Sequence, residues 1–130
     1  MIKVDKEFAQ GMFSISGKTA LVTGATGALG GAVAKAYGYQ GAKVVMTARN
    51  KSKLAELESE LRAEGIDCAC ISADPAVEAD VQRVVSATVE KFGEINILVT
   101  AAGVSIPKSI LQQETAEWQT MMDANVRGTY

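Results

Sequence analysis

The chain has 130 residues, a formal net charge of −2 and a hydrophobic fraction of 48%. That is enough apolar content for one globular core, with no basic excess to mark a nucleic-acid or anionic-membrane partner. Histidine is absent, which excludes a Ser-His-Asp triad, a Cys-His pair and any histidine-bearing metal site within these residues.

No apolar run approaches membrane-spanning length, and charges interrupt the first 18 residues. We therefore expect a cytoplasmic protein without a signal peptide, acting on a small molecule. Residues 1–16 read as a polar N-terminal extension, and residues 17–130 as one domain. Within that domain "TALVT" (Thr19 to Thr23) is short, β-branched and apolar on both faces, as a central parallel strand should be. After a glycine-rich turn, Leu29, Ala32, Val33, Ala36 and Tyr37 repeat at helical spacing, and Gly41 ends the helix.

The unit repeats. "KVVMTA" (Lys43 to Ala48) is a second strand, and Leu54, Leu57 and Leu61 mark a helix closed by Gly65. "CACIS" (Cys68 to Ser72) is a third strand, whose two cysteines share one face and read as small core residues, not a disulfide. Val77, Val81, Val84, Val85, Thr88, Val89 and Phe92 predict the next helix, and "INILVTA" (Ile95 to Ala101) a fourth strand. A loop with Pro107 leads to a last helix capped by Thr115, with Trp118, Met121, Met122 and Val126 as its apolar stripe. Strands alternating with helices imply right-handed crossovers, hence an α/β fold of the Rossmann type. We expect a doubly wound parallel sheet in the order 3-2-1-4, its C-terminal strands missing.

"TGATGALGG" (Thr23 to Gly31) directly follows the first strand and opens the first helix, which is where such sheets bind dinucleotides. Gly24 suits the tight turn, Gly27 or Ala28 lets the backbone approach a pyrophosphate, and Gly30 permits close helix packing. With Thr26 and Leu29 these residues form the expected phosphate cradle, completed by the unpaired N–H groups of the helix start. "GKT" at Gly17 to Thr19 is no P-loop: Gly11 lies one residue too far upstream, and the triplet precedes the strand. At the tip of the second strand, where a carboxylate would hold the ribose hydroxyls of NAD, the residues are Ala48, Arg49 and Asn50. With Lys51 and Lys53 nearby, this favours NADP over NAD, Arg49 contacting the 2′-phosphate.

With these pieces placed, the sequence resembles the short-chain dehydrogenase/reductase family from about Phe13 onward. "TGATGALG" is similar to the family's TGxxx[AG]xG turn. "ISADP" sets Asp74, flanked by Ala73 and Pro75, where the family has an adenine-contacting aspartate. "FGEINILVTAAGVS" resembles FGxxDxLVNNAG, and "NVRG" resembles the helix asparagine motif. The resemblance implies backbone contacts from Ala101, Ala102 and Gly103 to the nicotinamide-side ribose. It also implies that Asn125 holds a water in a proton relay. Thr100 and Ala101 replace two asparagines of the family pattern, which removes their side-chain hydrogen bonds. An unsatisfied buried amide costs on the order of 1 to 3 kcal/mol, so Asn125, on the apolar stripe, needs partners; bonds to neighbouring backbone would serve.

The resemblance further implies a serine and a Tyr-x3-Lys pair several tens of residues beyond Asn125. Tyr130 does not match, and Tyr37 and Tyr39 are excluded for want of a lysine four residues on and because both belong to the first helix. The expected parent is an NADP-dependent oxidoreductase, a homo-oligomer that interconverts a secondary alcohol and a ketone. Sugar acids or polyols are the first substrate guess and 3-oxoacyl thioesters the second. The 130-residue chain alone is expected to be inactive. The alternative is a non-catalytic NADP sensor or structural Rossmann module.

Overall fold

A computed structural model describes Lys6 and residues 11–130; most of the expected N-terminal extension lies outside the described residues. Four strands, β1 (Thr19–Thr23), β2 (Lys43–Ala48), β3 (Cys68–Ser72) and β4 (Ile97–Thr100), form one sheet in the order β3-β2-β1-β4. All three pairings are parallel. Helices α1 (Ala28–Tyr39), α2 (Lys51–Ala63) and α3 (Glu78–Phe92) make the crossovers. Helix α4 (Thr115–Met122) runs into a π-helical turn, Asp123–Arg127. The expected fold class and strand order are those observed.

Alternation along the strands sorts the core into two layers. Val22, Val44, Met46 and Cys68 face Ala34 of α1 and Leu54 and Leu61 of α2. Leu21, Val45 and Ala73 face Val84 of α3. Asn50 caps α2, its Oδ1 accepting the Lys53 N–H at 3.0 Å, and Gly65 follows that helix at φ 77°.

Several predicted details differ. Strand β4 starts two residues late, because the Asn96 side chain accepts the Thr19 N–H at 2.8 Å while its own N–H bonds Thr19 O at 2.9 Å. It stops before Ala101, whose N–H turns to a side chain of β1. In α1 the buried positions are Gly30 and Ala34, whereas Leu29 is 79% exposed; close packing of the helix on the glycine turn selects the small-residue face. Helix α3 buries Val84 and Thr88 but leaves Val81, Val85 and Val89 each at least 40% exposed. Helix α4 is capped by Glu114 in a reciprocal box with Glu117, not by Thr115. It buries no residue, and Trp118 and Val126 are exposed, so its stripe faces no core among the described residues.

Both cysteines are free. Cys68 is fully buried, and the Cys70 thiol lies 3.2 Å from Leu54 O. Burial, with the Glu58 and Cys68 charges added, pushes Cys70 up to about 12. A thiol raised above its ordinary value of 9.0 contributes stability fully below that pH and loses it as pH rises toward the folded value. At pH ~8 we expect iodoacetamide to label native Cys70 at least tenfold more slowly than in the urea-unfolded chain. Equal rates in the two states would contradict this placement.

Candidate cofactor cleft

The carboxyl ends of β1, β2 and β4 open onto one cleft of about 290 Å³. It is lined by Thr23, Gly24, Thr26, Gly27, Thr47, Ala48, Arg49, Asn50, Asp74, Pro75, Ala101, Ala102, Gly103, Val104 and Ala124. Most of the predicted cofactor residues therefore converge. Four do not line it. Ala28 and Leu29 open α1 as exposed residues, Gly30 is buried behind the turn, and Ala73 borders a separate apolar pocket.

The glycine turn depends on missing side chains. Gly24 sits at φ 63°, and a Cβ there would lie 2.5 Å from Ala101 O. A Cβ on Gly30 would lie 2.4 Å from Gly24 O, whereas one on Gly27 would stand 3.2 Å from the same atom. The first helical bond of α1 is Gly31 N–H to Gly27 O. The preceding N–H groups of Ala28, Leu29 and Gly30 have no intrahelical partner and carry the positive end of the helix dipole.

The opposite wall is held by two side chains. Thr23 Oγ1 accepts the N–H groups of both Ala101 and Ala102 at 3.2 Å. Asn125 is exposed, not core-facing as the stripe suggested, and bonds one residue twice. Its Oδ1 accepts the Val104 N–H at 2.8 Å and its Nδ2 donates to Val104 O at 2.9 Å. The backbone-bonded alternative is the observed one, and it leaves the carboxamide one lone pair and one N–H. Thr23 and Asn125 thus supply anchoring where the asparagines of the family pattern are absent.

At the other end, Arg49 lines the cleft as an exposed side chain with no ion pair among the described residues. Lys53 borders a neighbouring groove between α1 and α2 instead. Asp80 was missed by sequence reasoning, since nothing in its spacing marks it. Its Oδ2 accepts the Asp74 N–H at 2.8 Å and its Oδ1 accepts from Arg83 at 2.7 Å. The Asp74 N–H and then the Arg83 guanidinium hold the Asp80 carboxyl below the usual range. Thr47 was also missed. It is 5% exposed, lines both the cleft and the apolar pocket, and its hydroxyl has no partner among the described residues. The register row Thr47, Thr23 and Thr100 across β2, β1 and β4 was the available signal.

A Tyr-x3-Lys spacing does occur in the chain, at Tyr39 and Lys43, so the exclusion of Tyr39 for want of a lysine four residues on was wrong. The structure removes it from the chemistry. Tyr39 ends α1 and Lys43 begins β2, at the amino end of the sheet. The Tyr39 hydroxyl donates to Glu64, which raises its pKa, the wrong direction for a tyrosine acid-base. Among the described residues no cluster of three potential metal ligands occurs, and no helix is long and apolar enough to cross a membrane.

The comparisons agree with this geometry. The sequence model for short chain dehydrogenase matches residues 18–130, and the chain belongs to that family. It is 35% identical over 118 residues to an uncharacterized oxidoreductase of Staphylococcus epidermidis, covering 91% of this chain and 50% of the relative. An uncharacterized oxidoreductase of Thermotoga maritima is 34% identical over 116 residues, with 89% and 45% covered. The chain spans about half the length of such relatives. Among solved structures, the actinorhodin polyketide ketoreductase with NADPH aligns at TM-score 0.83 and 28% identity, covering 86% of this chain and 43% of that one. A short chain dehydrogenase from Mycobacterium smegmatis aligns at 0.85 and 25%, with 89% and 48% covered.

The glycine geometry predicts a graded series. Gly24→Ala and Gly30→Ala should each lower stability by about 2–4 kcal/mol, and Gly27→Ala by under about 1 kcal/mol, measured by urea unfolding. Equal losses at all three positions would overturn the reading of the turn.

Proposed function

We propose that the chain is the cofactor-binding part of an NADP-dependent oxidoreductase that interconverts a secondary alcohol and a ketone. The observation that carries this reading is the convergence of the glycine turn, Arg49, Asp74 and the loop from Ala101 to Gly103 on one cleft. The glycine turn, through Thr26 and Gly27 just before α1, would face the phosphates, and Arg49, without an ion pair among the described residues, would meet the 2′-phosphate. When bound, the nicotinamide supplies or accepts the hydride. The protein's part is to orient the ring beside Ala101 to Gly103, a loop fixed from beneath by Thr23 and from the side by Asn125. Asn125 keeps one N–H and one lone pair for a relay water.

Support for NADP also comes from the ketoreductase neighbour solved with NADPH. Sugar acids or polyols stay the first substrate proposal and 3-oxoacyl thioesters the second. The described residues bring no Tyr–Lys pair to the cleft, so the 130-residue chain alone binds cofactor without turnover. A cytoplasmic homo-oligomer remains the proposed setting, and the exposed row Val81, Val85 and Val89 supports association.

Calorimetric titration tests the reading. NADPH should bind at least tenfold more tightly than NADH, and Arg49→Gln should cut NADPH affinity about tenfold while changing NADH less than twofold. Equal binding of both dinucleotides would overturn the NADP assignment, and binding of neither would overturn the cofactor site. Steady NADPH oxidation with a ketone or 3-oxoacyl thioester would overturn the expectation of inactivity.

A further inference from the structure

The loop that leaves β3 has an unusual hydrogen-bond inventory. The Ala73 N–H bonds Ala48 O, the Asp74 N–H bonds Asp80, and Pro75 has no N–H. The Ala76 N–H turns back to Asp74 Oδ1 at 2.9 Å, and the Val77 N–H to Asp74 O at 3.0 Å. Every amide donor from residue 73 to residue 77 is therefore engaged or missing. Asp74 lines the cleft, and its second carboxylate oxygen, Oδ2, has no hydrogen-bond partner among the described residues. This edge accepts hydrogen bonds and donates none.

An acceptor-only edge suits the exocyclic amino group of a 6-aminopurine and repels the 6-oxo group of hypoxanthine. Selection holds only while the carboxylate cannot slide. Hypoxanthine carries an N–H at ring position 1, roughly one atom spacing away, which a mobile Asp74 would reach. What stops the slide is the network behind the loop. Asp80 Oδ2 holds the Asp74 N–H, while Arg83 Nη2 bridges Asp80 Oδ1 and Ser72 O at 2.7 and 2.8 Å. The two side chains stand on the first turns of α3, so the loop is tied to a packed helix.

We propose that Asp80, steadied by Arg83, is a positioning residue that sets purine selectivity at the cofactor cleft. It contacts no ligand; it fixes Asp74 so that recognition of the base rests on the amino group alone. This rests on the dinucleotide reading above, and the two can fail separately.

The test uses the 130-residue chain, NADPH and the hypoxanthine analogue of NADPH, each titrated by calorimetry. The wild type should prefer NADPH by about tenfold. Asp80→Ala should lose most of that preference, bringing the two dissociation constants within about threefold. Asp80→Asn keeps an acceptor for the Asp74 N–H and should restore a preference above about fivefold. The ratio is the decisive readout, because partial unfolding weakens both ligands by the same factor and cancels. A wild-type ratio within twofold, or an Asp80→Ala ratio equal to wild type, overturns the inference while leaving the cofactor site standing. No binding of either dinucleotide to the wild type overturns both.

Discussion

The cleft exists because two backbone segments approach the end of β1 more closely than any side chain allows. Gly24 lies against the Ala101 carbonyl, and Gly30 lies against Gly24 itself. Without those contacts α1 could not start directly above the strand, and the loop after β4 could not come within reach of Thr23. One hydroxyl then fastens the arrangement, since Thr23 Oγ1 accepts two N–H groups that would otherwise end the β4 ladder unpaired. Turn, helix start and loop are thus parts of a single packing solution. What this solution leaves over is the cleft itself and the N–H groups at the start of α1 without intrahelical partners.

The two ends of the cleft are stiffened by different means. Beside Ala101 to Val104, neutral groups do the work: a threonine hydroxyl and a carboxamide that bonds both backbone atoms of Val104. Beside Asp74, an ion pair and charge-assisted bonds through Asp80 and Arg83 take that role. The charges of this network are spent on one another and on backbone groups, while the nearby Arg49 has no ion pair among the described residues. Exposed pairs contribute little to stability, so the value of this network lies in fixing a direction.

Strand periodicity and glycine placement carried nearly all of the architecture. β1, β2 and β3 have the predicted bounds, because buried parallel strands are short apolar runs with sharp turn residues at both ends. Helix faces were less legible. Leu29 and the valines of α3 satisfy the apolar period, yet Gly30, Ala34 and Val84 are the residues that meet the sheet. Hydrophobicity alone cannot tell a face chosen for close approach from one chosen for volume. Side chains that act through another residue's backbone, such as Asp80 on Asp74, leave no spacing signal. Thr47 was hidden for a related reason, since a threonine inside a strand reads as β propensity until its hydroxyl is found without a partner.

The Tyr39–Lys43 spacing shows what decides whether a motif is chemistry. In a parallel sheet all strands end on the same edge, and ligands gather there because the following loops and helix starts point their donors outward. A residue's availability is therefore set by which end of its element it occupies. Tyr39 closes a helix that runs away from the cleft, and Lys43 opens the strand that returns. The pair is thus held at the far edge, with Tyr39 engaged by Glu64 and Lys43 near the Phe92 ring. Asn125 reaches the cleft side because its helix begins after β4 and its carboxamide meets the loop that β4 delivers. A tyrosine and a lysine available to a ligand in this cleft would have to stand at the same edge of the sheet.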